Sequence, residues 1–240
     1  MLSFEIIMRA KNAEKYIQKA ISSLVRQDYP HWHCTIALDC PTDRTFEKVL
    51  EYLVPVGRFG LKPQLAPLGL VGNMASAIQF ANPHKDAVLA VLDGDDWLRP
   101  DALSIVAKAY QKHPDTLLTY GSYVKVSKGA RTKTSKPYPH GANVRTHKWH
   151  GSHLKTFKVK LWNRLPLDCL KHQGAWLPAA SDLAIMLPMM ELAGLERCRH
   201  IRDTIYYYRD KTPYTCNKKL QRKCEAIIRS KPPLARDRAL

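Results

Sequence analysis

The chain has 240 residues, of which 45% are hydrophobic and 25% charged, a composition that is ordinary for a soluble globular protein. We expect one large domain, or one domain with a tail, and no apolar run approaches the roughly 20 residues that a membrane-spanning helix needs. The 38 Lys and Arg residues exceed the 21 Asp and Glu residues, and this net charge of +17 favours a polyanionic partner, namely nucleic acid, an anionic surface or a phosphorylated substrate.

The N-terminus and the cysteines bear on the cellular compartment. Residues 1–5 carry no basic region ahead of an apolar stretch, so they do not have the pattern of a signal peptide. The six cysteines are scattered without a Cys-x-x-Cys pair, which predicts reduced thiols rather than a zinc site or a disulfide framework. We therefore expect a cytoplasmic protein of a bacterium or of a phage-infected cell.

Strands and helices alternate through the first part of the chain. Apolar runs predict strands at 4–8, 32–38, 61–66 and 87–92, and helical spacing predicts helices at 13–25, from 42 or 43 to about 53, and at 71–81. This alternation predicts a parallel sheet with right-handed crossovers. The polar loops that hold Asn12, Asp39 and Asp93 each follow a strand, so we expect them to meet at the edge of the sheet where open α/β folds bind nucleotides.

The sequence Asp93-Gly94-Asp95-Asp96 follows the strand predicted at 87–92 and forms the centre of the predicted site. Three carboxylates at the end of a buried strand concentrate negative charge that a cation would neutralise. An Asp-x-Asp pair suits Mg²⁺ or Mn²⁺, which keeps several waters and also takes phosphate oxygens. The alternative is a polar turn whose Asp caps the helix that starts near Pro100. The glycine fingerprints of dinucleotide-binding folds and of P-loop enzymes are absent, which argues against both classes.

The second half of the chain departs from this alternation. We predict a helix over 100–113, a strand over 116–126, a basic loop over 127–152, a short helix or strand near 158–165, a helix over 183–192, a strand over 202–209, a basic helix over 218–229 and a frayed end over 230–240. Residues 116–167 hold no Asp or Glu but 11 Lys and Arg, interleaved with aromatic residues. A phosphate backbone with unstacked bases requires such a mixture, although a solubilising loop is the alternative.

Taken together, these motifs resemble the family 2 glycosyltransferases of the GT-A fold. The matching stretches are 6–17 for the first loop, 36–45 for the Asp-Asp-Gly-Ser-Thr-Asp block, 89–101 for the Asp-x-Asp-Asp block, and 152–157 and 181–184 for the acceptor-side motifs. The usual Pro-Thr before Asn12 is replaced by Ala10-Lys11, and Ala37-Leu38 leaves one acidic position unfilled. The resemblance covers roughly residues 3–210. It implies a Rossmann-like, mostly parallel nucleotide-binding sheet flanked by helices, with a basic acceptor-side region.

The resemblance implies a metal-dependent inverting glycosyltransferase that moves a sugar from a nucleotide-sugar, by preference UDP-linked, to an acceptor hydroxyl. It implies that Asp182 is the catalytic base and that Asp95 binds Mn²⁺ or Mg²⁺. It also implies that Asp93 contacts the ribose of the nucleotide-sugar or the metal and its water shell, and that Asp39 hydrogen-bonds the nucleotide base. Further candidates are Ala10, Asn12, Asn73 and Gly94 for the nucleotide-sugar and His153 for the metal. In the alternatives that stay open, Asp39 caps a turn, Asp182 is the N-cap of the helix over 183–192, and His153 is a packed or solvated residue.

The predicted organisation has a nucleotide-sugar-binding half over 1–115, an acceptor-binding half of the same domain over 116–215, and a basic C-terminal helix and tail over 216–240. The acid-free basic segment leads us to predict DNA as the acceptor, at a hydroxylated or hydroxymethylated pyrimidine as in phage DNA modification, reached by base flipping. The residues predicted to contact it are Lys133, Lys136, Arg145, Lys148, Trp149, Asp96 and Trp97. The alternatives are a soluble transferase that builds capsule or lipopolysaccharide glycan, and a non-catalytic DNA-binding relic of the fold.

Overall fold

A computed structural model describes residues 1–126, 130–210 and 217–240, so that Lys128 of the basic segment and Cys216 lie outside the described residues. The strands are β1 Phe4–Ala10, β2 Trp32–Leu38, β3 Phe59–Pro63, β4 Val88–Asp93, β5 Trp97–Leu98, β6 Leu118–Lys125, β7 Arg131–Lys133, β8 Lys155–Lys158, β9 Lys171–His172, β10 Ala175–Trp176 and β11 Cys198–Tyr208. The helices are α1 Ile17–Val25, α2 Thr45–Val56, α3 Gly69–Ala81, α4 Ala102–Lys112, α5 Val159–Trp162, α6 Ser181–Ala193 and α7 Lys218–Ser230, with short 3-10 helices at Leu167–Leu170 and Leu195–Arg197.

A single large sheet joins both halves of the chain. Its strand order is β3-β2-β1-β4-β8-β6-β11-β5, and β7 adds to β6. The first four strands of this order are parallel, β8 pairs antiparallel with both β4 and β6, and β11 runs parallel to β6. The predicted α/β architecture with a mostly parallel sheet is therefore confirmed. In the described parts of the chain, no helix combines the length and the apolarity needed to cross a membrane.

The central strands are apolar on both faces because helices cover both faces of the sheet. In β1, Ile7 packs into the core layer that α3 and α6 cover, whereas Ile6 and Met8 face the layer formed with α1 and α4. All three side chains are fully buried, and each such burial contributes roughly 1.5–3 kcal/mol. This two-sided burial explains the unbroken apolar run of β4 and the three consecutive apolar residues 6–8 of β1, and it fixes where the polar carboxyl ends of both strands emerge.

The predicted elements of the first half are confirmed with shifts at their ends. The third strand lies at Phe59–Pro63 rather than 61–66, and the first helix begins at Ile17 because residues 13–16 form a turn. The sequence patterns did not predict β5, β8 or the hairpin β9–β10, and the basic loop contains β7. These strands have two to four residues, and β5 and β8 owe their pairing to partners distant in sequence.

The prediction of a frayed C-terminal end is wrong, because the last residues pack along α6. The Leu234 amide donates to Glu191 Oε2 at 2.9 Å, and the Asp237 amide donates to the Leu192 carbonyl oxygen at 3.0 Å. The Arg197 guanidinium donates to the Leu240 carbonyl oxygen at 2.9 Å. Through these bonds, backbone groups of the tail are hydrogen-bonded to α6 and to Arg197. The bonds hold the tail in place.

Candidate active site

A cleft of about 620 Å³ opens at the carboxyl ends of β1, β2 and β4. On one side it is bounded by the loops after these strands and by the start of α3. On the other side lie β7, the start of α6, the end of β11 and one face of α7. The predicted residues that line it are Ala10, Asn12, Asp39, Asn73, Asp93, Gly94, Asp95, Lys133, Trp149, His153 and Asp182. The polar loops that were expected to meet at this edge of the sheet therefore do meet there.

Asp93 ends β4 beside Arg9, with which it is in register across β1 and β4. Asp93 Oδ1 accepts hydrogen bonds from Arg9 Nε at 2.9 Å and from Arg9 Nη2 at 2.6 Å, and the Arg9 side chain is only 1% exposed. Next in the chain, the Gly94 amide donates to the Arg9 carbonyl oxygen. A Cβ on Gly94 would lie 2.7 Å from the Ala10 Cβ, so this close packing requires glycine. Arg9 was not predicted from the sequence, although a charged residue inside a strand that is buried throughout is a signal for a functional position.

Among the three carboxylates of this loop, Asp95 is the one that is available to bind a cation in the cleft. Burial and the neighbouring charge of Asp93 raise the pKa of Asp95 to about 6, against the lowering effect of Arg209 and Arg9. Within the described residues, Asp95 has no ion-pair partner, and no three His, Cys, Asp or Glu side chains are grouped to hold a metal ion. A divalent ion here would therefore rest on one or two carboxylates together with water and phosphate oxygens, a mode that suits Mg²⁺. The residues present fit such an ion.

Asp96 and Trp97 are not among the described residues that line the cleft, and their role in acceptor binding stays a prediction. Asp96 is 1% exposed, and its carboxylate accepts from the Tyr206 hydroxyl and from the Arg209 amide, both at 2.7 Å. Burial, with the charges of the two preceding aspartates, raises the pKa of Asp96 well above its ordinary value. Trp97 stacks on Tyr207 with ring centroids 5.4 Å apart. These contacts connect the acidic loop to the end of β11.

Asp182 lies in the first turn of α6, with its side chain 34% exposed at the cleft. Asp182 Oδ1 accepts from Lys155 Nζ at 2.6 Å, and Lys155 is almost fully buried in β8. Burial alone would raise the pKa of Asp182, but the positive charges of Lys155 and Arg9 outweigh it and hold the pKa well below its ordinary range. The carboxylate makes no capping bond to the helix, so the alternative of a mere N-cap is not the one observed. Lys155 was not predicted from the sequence as the partner of the Asp182 carboxylate.

His153 completes this group of charges. Its Nδ1 lies 3.1 Å from Lys155 Nζ, and because an ammonium only donates, Nδ1 accepts and Nε2 carries the proton. Nε2 faces Asp182 Oδ2 at 3.6 Å, and the ring stacks on Tyr206. Burial and the charge of Lys155 lower the pKa of His153 to about 3, so the ring is neutral. Both ring nitrogens are thus directed at Lys155 and Asp182, and the role of His153 as a metal ligand stays a prediction.

The residues predicted for the nucleotide also support the loops around it. Asp39 accepts from the amides of Leu68 at 2.6 Å and Gly69 at 3.1 Å, where α3 begins, as the capping alternative proposed. Asn73 is buried and donates to the Ala37 carbonyl oxygen. Asn12 accepts from the Thr42 amide at 2.6 Å. Asp39, Asn73 and Asn12 all line the cleft, and their contact with a nucleotide stays a prediction.

The basic segment is divided between cleft, solvent and core. Lys133 and Trp149 line the cleft, and Lys136 and Lys148 are exposed outside it. Arg145 instead pairs with Glu191, Nε to Oε1 at 2.5 Å, with both side chains less than a tenth exposed. Its contact with an acceptor stays a prediction. Of the aromatic residues expected to stack on bases, Tyr120, Phe157 and Trp162 are buried outside the cleft, and Tyr138 packs against the ring of Tyr120. Tyr123 is largely buried but, like Trp149, lines the cleft.

Residues 5–169, more than half of the chain, match the family model described as glycosyl transferase family 2. The chain is 27% identical over 202 residues to the uncharacterised protein y4gI of Sinorhizobium fredii, an alignment that covers 79% of this chain and 20% of that protein. It is 27% identical over 121 residues to the poly(ribitol-phosphate) beta-N-acetylglucosaminyltransferase TarS of Staphylococcus aureus, which covers 49% of this chain and 20% of TarS. The chain therefore spans about a fifth of the length of each of these two relatives.

Solved structures share the fold at low sequence identity. A TarS crystal structure in complex with UDP-GlcNAc superposes with a TM-score of 0.70 at 17% identity, covering 89% of this chain and 60% of that chain. The mannosyltransferase PcManGT of Pyrobaculum calidifontis, in complex with GDP-Man and Mn²⁺, gives a TM-score of 0.59 at 15% identity and covers 88% of this chain and 58% of that chain. Both comparisons bear on the architecture of the sheet and its helices.

Proposed function

The chain belongs to glycosyl transferase family 2, and from that premise we propose that it transfers a sugar from a nucleotide-sugar to an acceptor hydroxyl with inversion at the anomeric carbon. One observation carries the proposal. An aspartate without an ion-pair partner among the described residues, Asp95, and an ion-paired aspartate, Asp182, line one cleft at the carboxyl ends of the parallel strands. The first suits a cation on the donor, and the second suits a base for the acceptor.

The donor half of the cleft fits a nucleoside diphosphate. Asp95, supported by Asp93, would hold Mn²⁺ or Mg²⁺, which when bound neutralises the charge that develops on the departing diphosphate. Arg209 Nε donates to the Asp95 carbonyl oxygen at 3.3 Å. The Arg209 guanidinium therefore adds a positive charge next to the position proposed for the metal ion. The UDP-GlcNAc bound by TarS supports UDP as the nucleotide, and the Mn²⁺ bound by PcManGT supports a divalent metal. Asp39 and Asn12 would contact the nucleotide from the opposite wall.

The transfer is a single displacement on the acceptor side of the cleft. The acceptor oxygen bonds to the anomeric carbon while the bond from that carbon to the diphosphate oxygen breaks, and Asp182 takes the hydroxyl proton. One carboxylate suffices because acceptor and leaving group lie on opposite faces of the sugar. The low pKa of Asp182 keeps it ionised and makes it a weak base. It therefore accepts the proton late, once the attacking oxygen has become acidic.

The acceptor predicted from the sequence is DNA, and this acceptor stays a prediction. The net charge supports it. Of the interleaved aromatic residues, Tyr123 and Trp149 line the cleft, whereas Tyr120, Phe157 and Trp162 are buried outside it. The glycan alternative is supported by the name of TarS, which acts on poly(ribitol-phosphate). The relic alternative is disfavoured by a site in which Asp95 and Asp182 are both accessible from one cleft.

Binding of UDP measured by calorimetry with and without Mn²⁺, followed by a panel of UDP-sugars, tests the proposal. We expect Asp95→Asn to weaken Mn²⁺-dependent binding of UDP by about tenfold or more. Asp182→Asn is expected to retain UDP binding but to lower turnover by about 100-fold or more, because it removes the base.

Asp86→Asn is the matched control, since Asp86 is exposed and precedes the opposite end of the same strand β4. It should change neither UDP binding nor turnover. Binding of UDP that ignores both Mn²⁺ and the Asp95→Asn change would contradict the assignment of the metal site. Full turnover in Asp182→Asn would contradict the assignment of the base.

A further inference from the structure

The segment 134–152 joins β7 to β8, and hydrogen bonds between uncharged groups attach it to β6. The Tyr138 amide donates to the hydroxyl of Tyr120 in β6 at 3.1 Å. The His150 amide donates to the Tyr138 hydroxyl at 3.0 Å, and the Ser135 hydroxyl donates to the His150 carbonyl oxygen at 2.5 Å. The two ends of the segment are therefore bonded to each other as well as to the sheet.

Imidazole and phenol rings pack in a continuous row between this segment and β11. His200 of β11 lies edge-on to Tyr120 with ring centroids 5.5 Å apart, and Tyr120 in turn packs against Tyr138 at 5.7 Å. Tyr138 contacts the ring of His150 at 5.0 Å and that of His147 at 5.4 Å. These five residues form what we name the histidine–tyrosine row, which connects the segment to the sheet.

Two imidazole nitrogens of the histidine–tyrosine row, His150 Nδ1 and His200 Nε2, are buried without a hydrogen-bond partner in the described structure. Such atoms require an explanation, because nearly all buried polar groups in native proteins are paired. Across the residues that the structure describes, no three His, Cys, Asp or Glu side chains are grouped to hold a metal ion. The simplest ligand for both nitrogens is therefore a proton.

His150 lies in surroundings that favour the neutral ring. Burial lowers the pKa of His150 below its ordinary value of 6.5, and the positive charges of His147 and Lys148 lower it further. Against this, the carbonyl groups of Lys136 and Pro137 raise the pKa. A proton on His150 Nδ1 would therefore lie among cations and would have no acceptor.

The surroundings of His200 on β11 act in the same way. Burial is the main cause that lowers the pKa of His200 below 6.5, and the charges of His150 and Arg202 lower it further. The Ser135 carbonyl group opposes this shift of the pKa. A proton on His150 thus disfavours a proton on His200, and the two rings titrate as an interacting pair.

The elements around the row supply no free anion to compensate such a charge, because the main charges that act on the two imidazoles are all positive. The Glu191 carboxylate on α6 is already paired with Arg145 at 2.5 Å. On α7, Glu225 is paired with Arg229 at 3.1 Å, and Arg229 Nη1 donates to the His147 carbonyl oxygen at 3.4 Å. The other titratable groups of the row and next to it are neutral because burial raises the pKa of each, namely Tyr120, Tyr138 and Cys198.

We propose that the histidine–tyrosine row is a pH-sensitive latch, in which neutral His150 and His200 keep the segment 134–152 on the sheet and protonation of these two rings releases it. Protonation adds a buried N–H donor that has no acceptor, and the new charge is repelled by the neighbouring cations. The folded state then binds fewer protons than the unfolded state. The stability that the row contributes is therefore present above the ordinary pKa of 6.5 and is lost as the pH falls below it.

The latch also acts on the cleft. Trp149, the neighbour of His150 in the chain, lines the cleft together with Ser152 of the same segment. Release of the segment removes this part of the wall and opens the acceptor side. Acidification should therefore change the shape of the cleft by a route that does not involve titration of Asp182.

Hydrogen–deuterium exchange of the full chain tests the latch. Exchange is measured at about pH 7.5 and about pH 5.5, and the rates are corrected for the intrinsic pH dependence of amide exchange. We expect protection in peptides from the segment 134–152 to fall by about tenfold at the lower pH. Protection of β1 and β4 should change by less than about twofold, because these strands lie outside the row.

His150→Gln/His200→Gln replaces both rings by amides that cannot take a charge. Protection of the segment should then no longer depend on pH. The single variant His200→Gln removes one of the two titrating groups and should retain a smaller pH response than the wild type. This single variant keeps the test decisive if the double variant does not fold.

The matched control is His140→Gln, since His140 belongs to the same segment but is exposed and lies outside the histidine–tyrosine row. It should keep the pH response of the wild type. Equal protection of the wild-type segment at both pH values, or an undiminished pH response in the histidine variants of the row, would overturn the proposal. A loss of protection in β1 and β4 as large as that in the segment would also overturn it, because the whole protein would then unfold in acid. The exchange is measured without nucleotide-sugar or acceptor, so its outcome does not depend on the proposed function.

Discussion

At the scale of single residues, two of the carboxylates in the cleft are paired with buried cations, and one is not. Arg9 holds Asp93 and Lys155 holds Asp182, and each cation comes from a core strand and is at most 3% exposed. Asp95 has no such partner among the described residues, and its pKa is raised rather than lowered. Ion pairing thus distinguishes a positioned base from a carboxylate that is available to a metal ion.

Lys155→Met removes the ammonium beside Asp182 but retains an unbranched apolar side chain. The pKa of Asp182 should then rise towards its ordinary range, so the acidic limb of kcat against pH moves to higher pH. We expect kcat at neutral pH to fall by about tenfold to 100-fold, because the loss of the contact that orients the Asp182 carboxylate outweighs its greater basicity, with KM for the donor nearly unchanged. Lys155→Arg keeps a cation and should retain the wild-type limb. Loss of activity without any movement of the limb would mean that Lys155 only supports the fold.

Asp95 should make the metal-free protein less stable as pH rises. Its folded-state pKa of about 6 exceeds the ordinary value of 3.8. Between these two values the folded state binds more protons than the unfolded state, so the free energy of unfolding decreases with increasing pH. Asp95→Asn removes this dependence and should be more stable than the wild type by roughly 1 kcal/mol at neutral pH, allowing for partial solvent screening. Thermal unfolding of both proteins across this range measures it, and identical pH profiles would contradict it.

At the scale of elements, sequence patterns predicted what local composition determines. β1, β2 and β4 have apolar segments buried on both faces, α4 has amphipathic helical spacing, and α6 is a run of Leu, Ile, Met and Ala, so each was found within a few residues. β8 could not be found in this way, because its four residues become a strand only between β4 and β6. The local motif 181–184 was sufficient to indicate Asp182. Its partner Lys155 lies in β8, so the ion pair could not be predicted without knowing where β8 sits in the sheet.

Arg145 was expected on the acceptor surface, and the structure instead makes it a link between α6, α7 and the C-terminal tail. It donates to both carboxylate oxygens of Glu191 and to the Ile228 carbonyl oxygen, and Glu191 Oε2 also accepts from the Leu234 amide. Arg145→Met leaves a buried carboxylate uncompensated, which should cost about 3–5 kcal/mol in the free energy of unfolding. Chemical denaturation measures this cost.

The double variant Arg145→Met/Glu191→Leu is the control, because it removes both charges together. It should recover most of the lost stability. If the single and the double variant unfold at the same denaturant concentration, the stability lost in Arg145→Met does not come from leaving the Glu191 carboxylate unpaired.

At the scale of the whole molecule, the two predicted halves share one sheet. β8, from the second half, pairs with β4, and β5, from the first half, pairs with β11. A fragment of residues 1–115 would expose the edge of β4 and leave one face of the sheet without α6. We expect it to be insoluble or to lack a cooperative thermal transition, whereas the full chain unfolds in one step. A soluble fragment that unfolds cooperatively would contradict this.

The way β8 bridges the sheet also bears on how the protein could be retargeted. Asp93 and Lys155 stand on adjacent paired strands, so the spacing between the donor end and the base is fixed by the scaffold itself. The outer edge of the cleft, formed by β7 and α7, does not include these two strands. Grafting a different rim should therefore redirect the choice of recipient while leaving the reaction chemistry as it is.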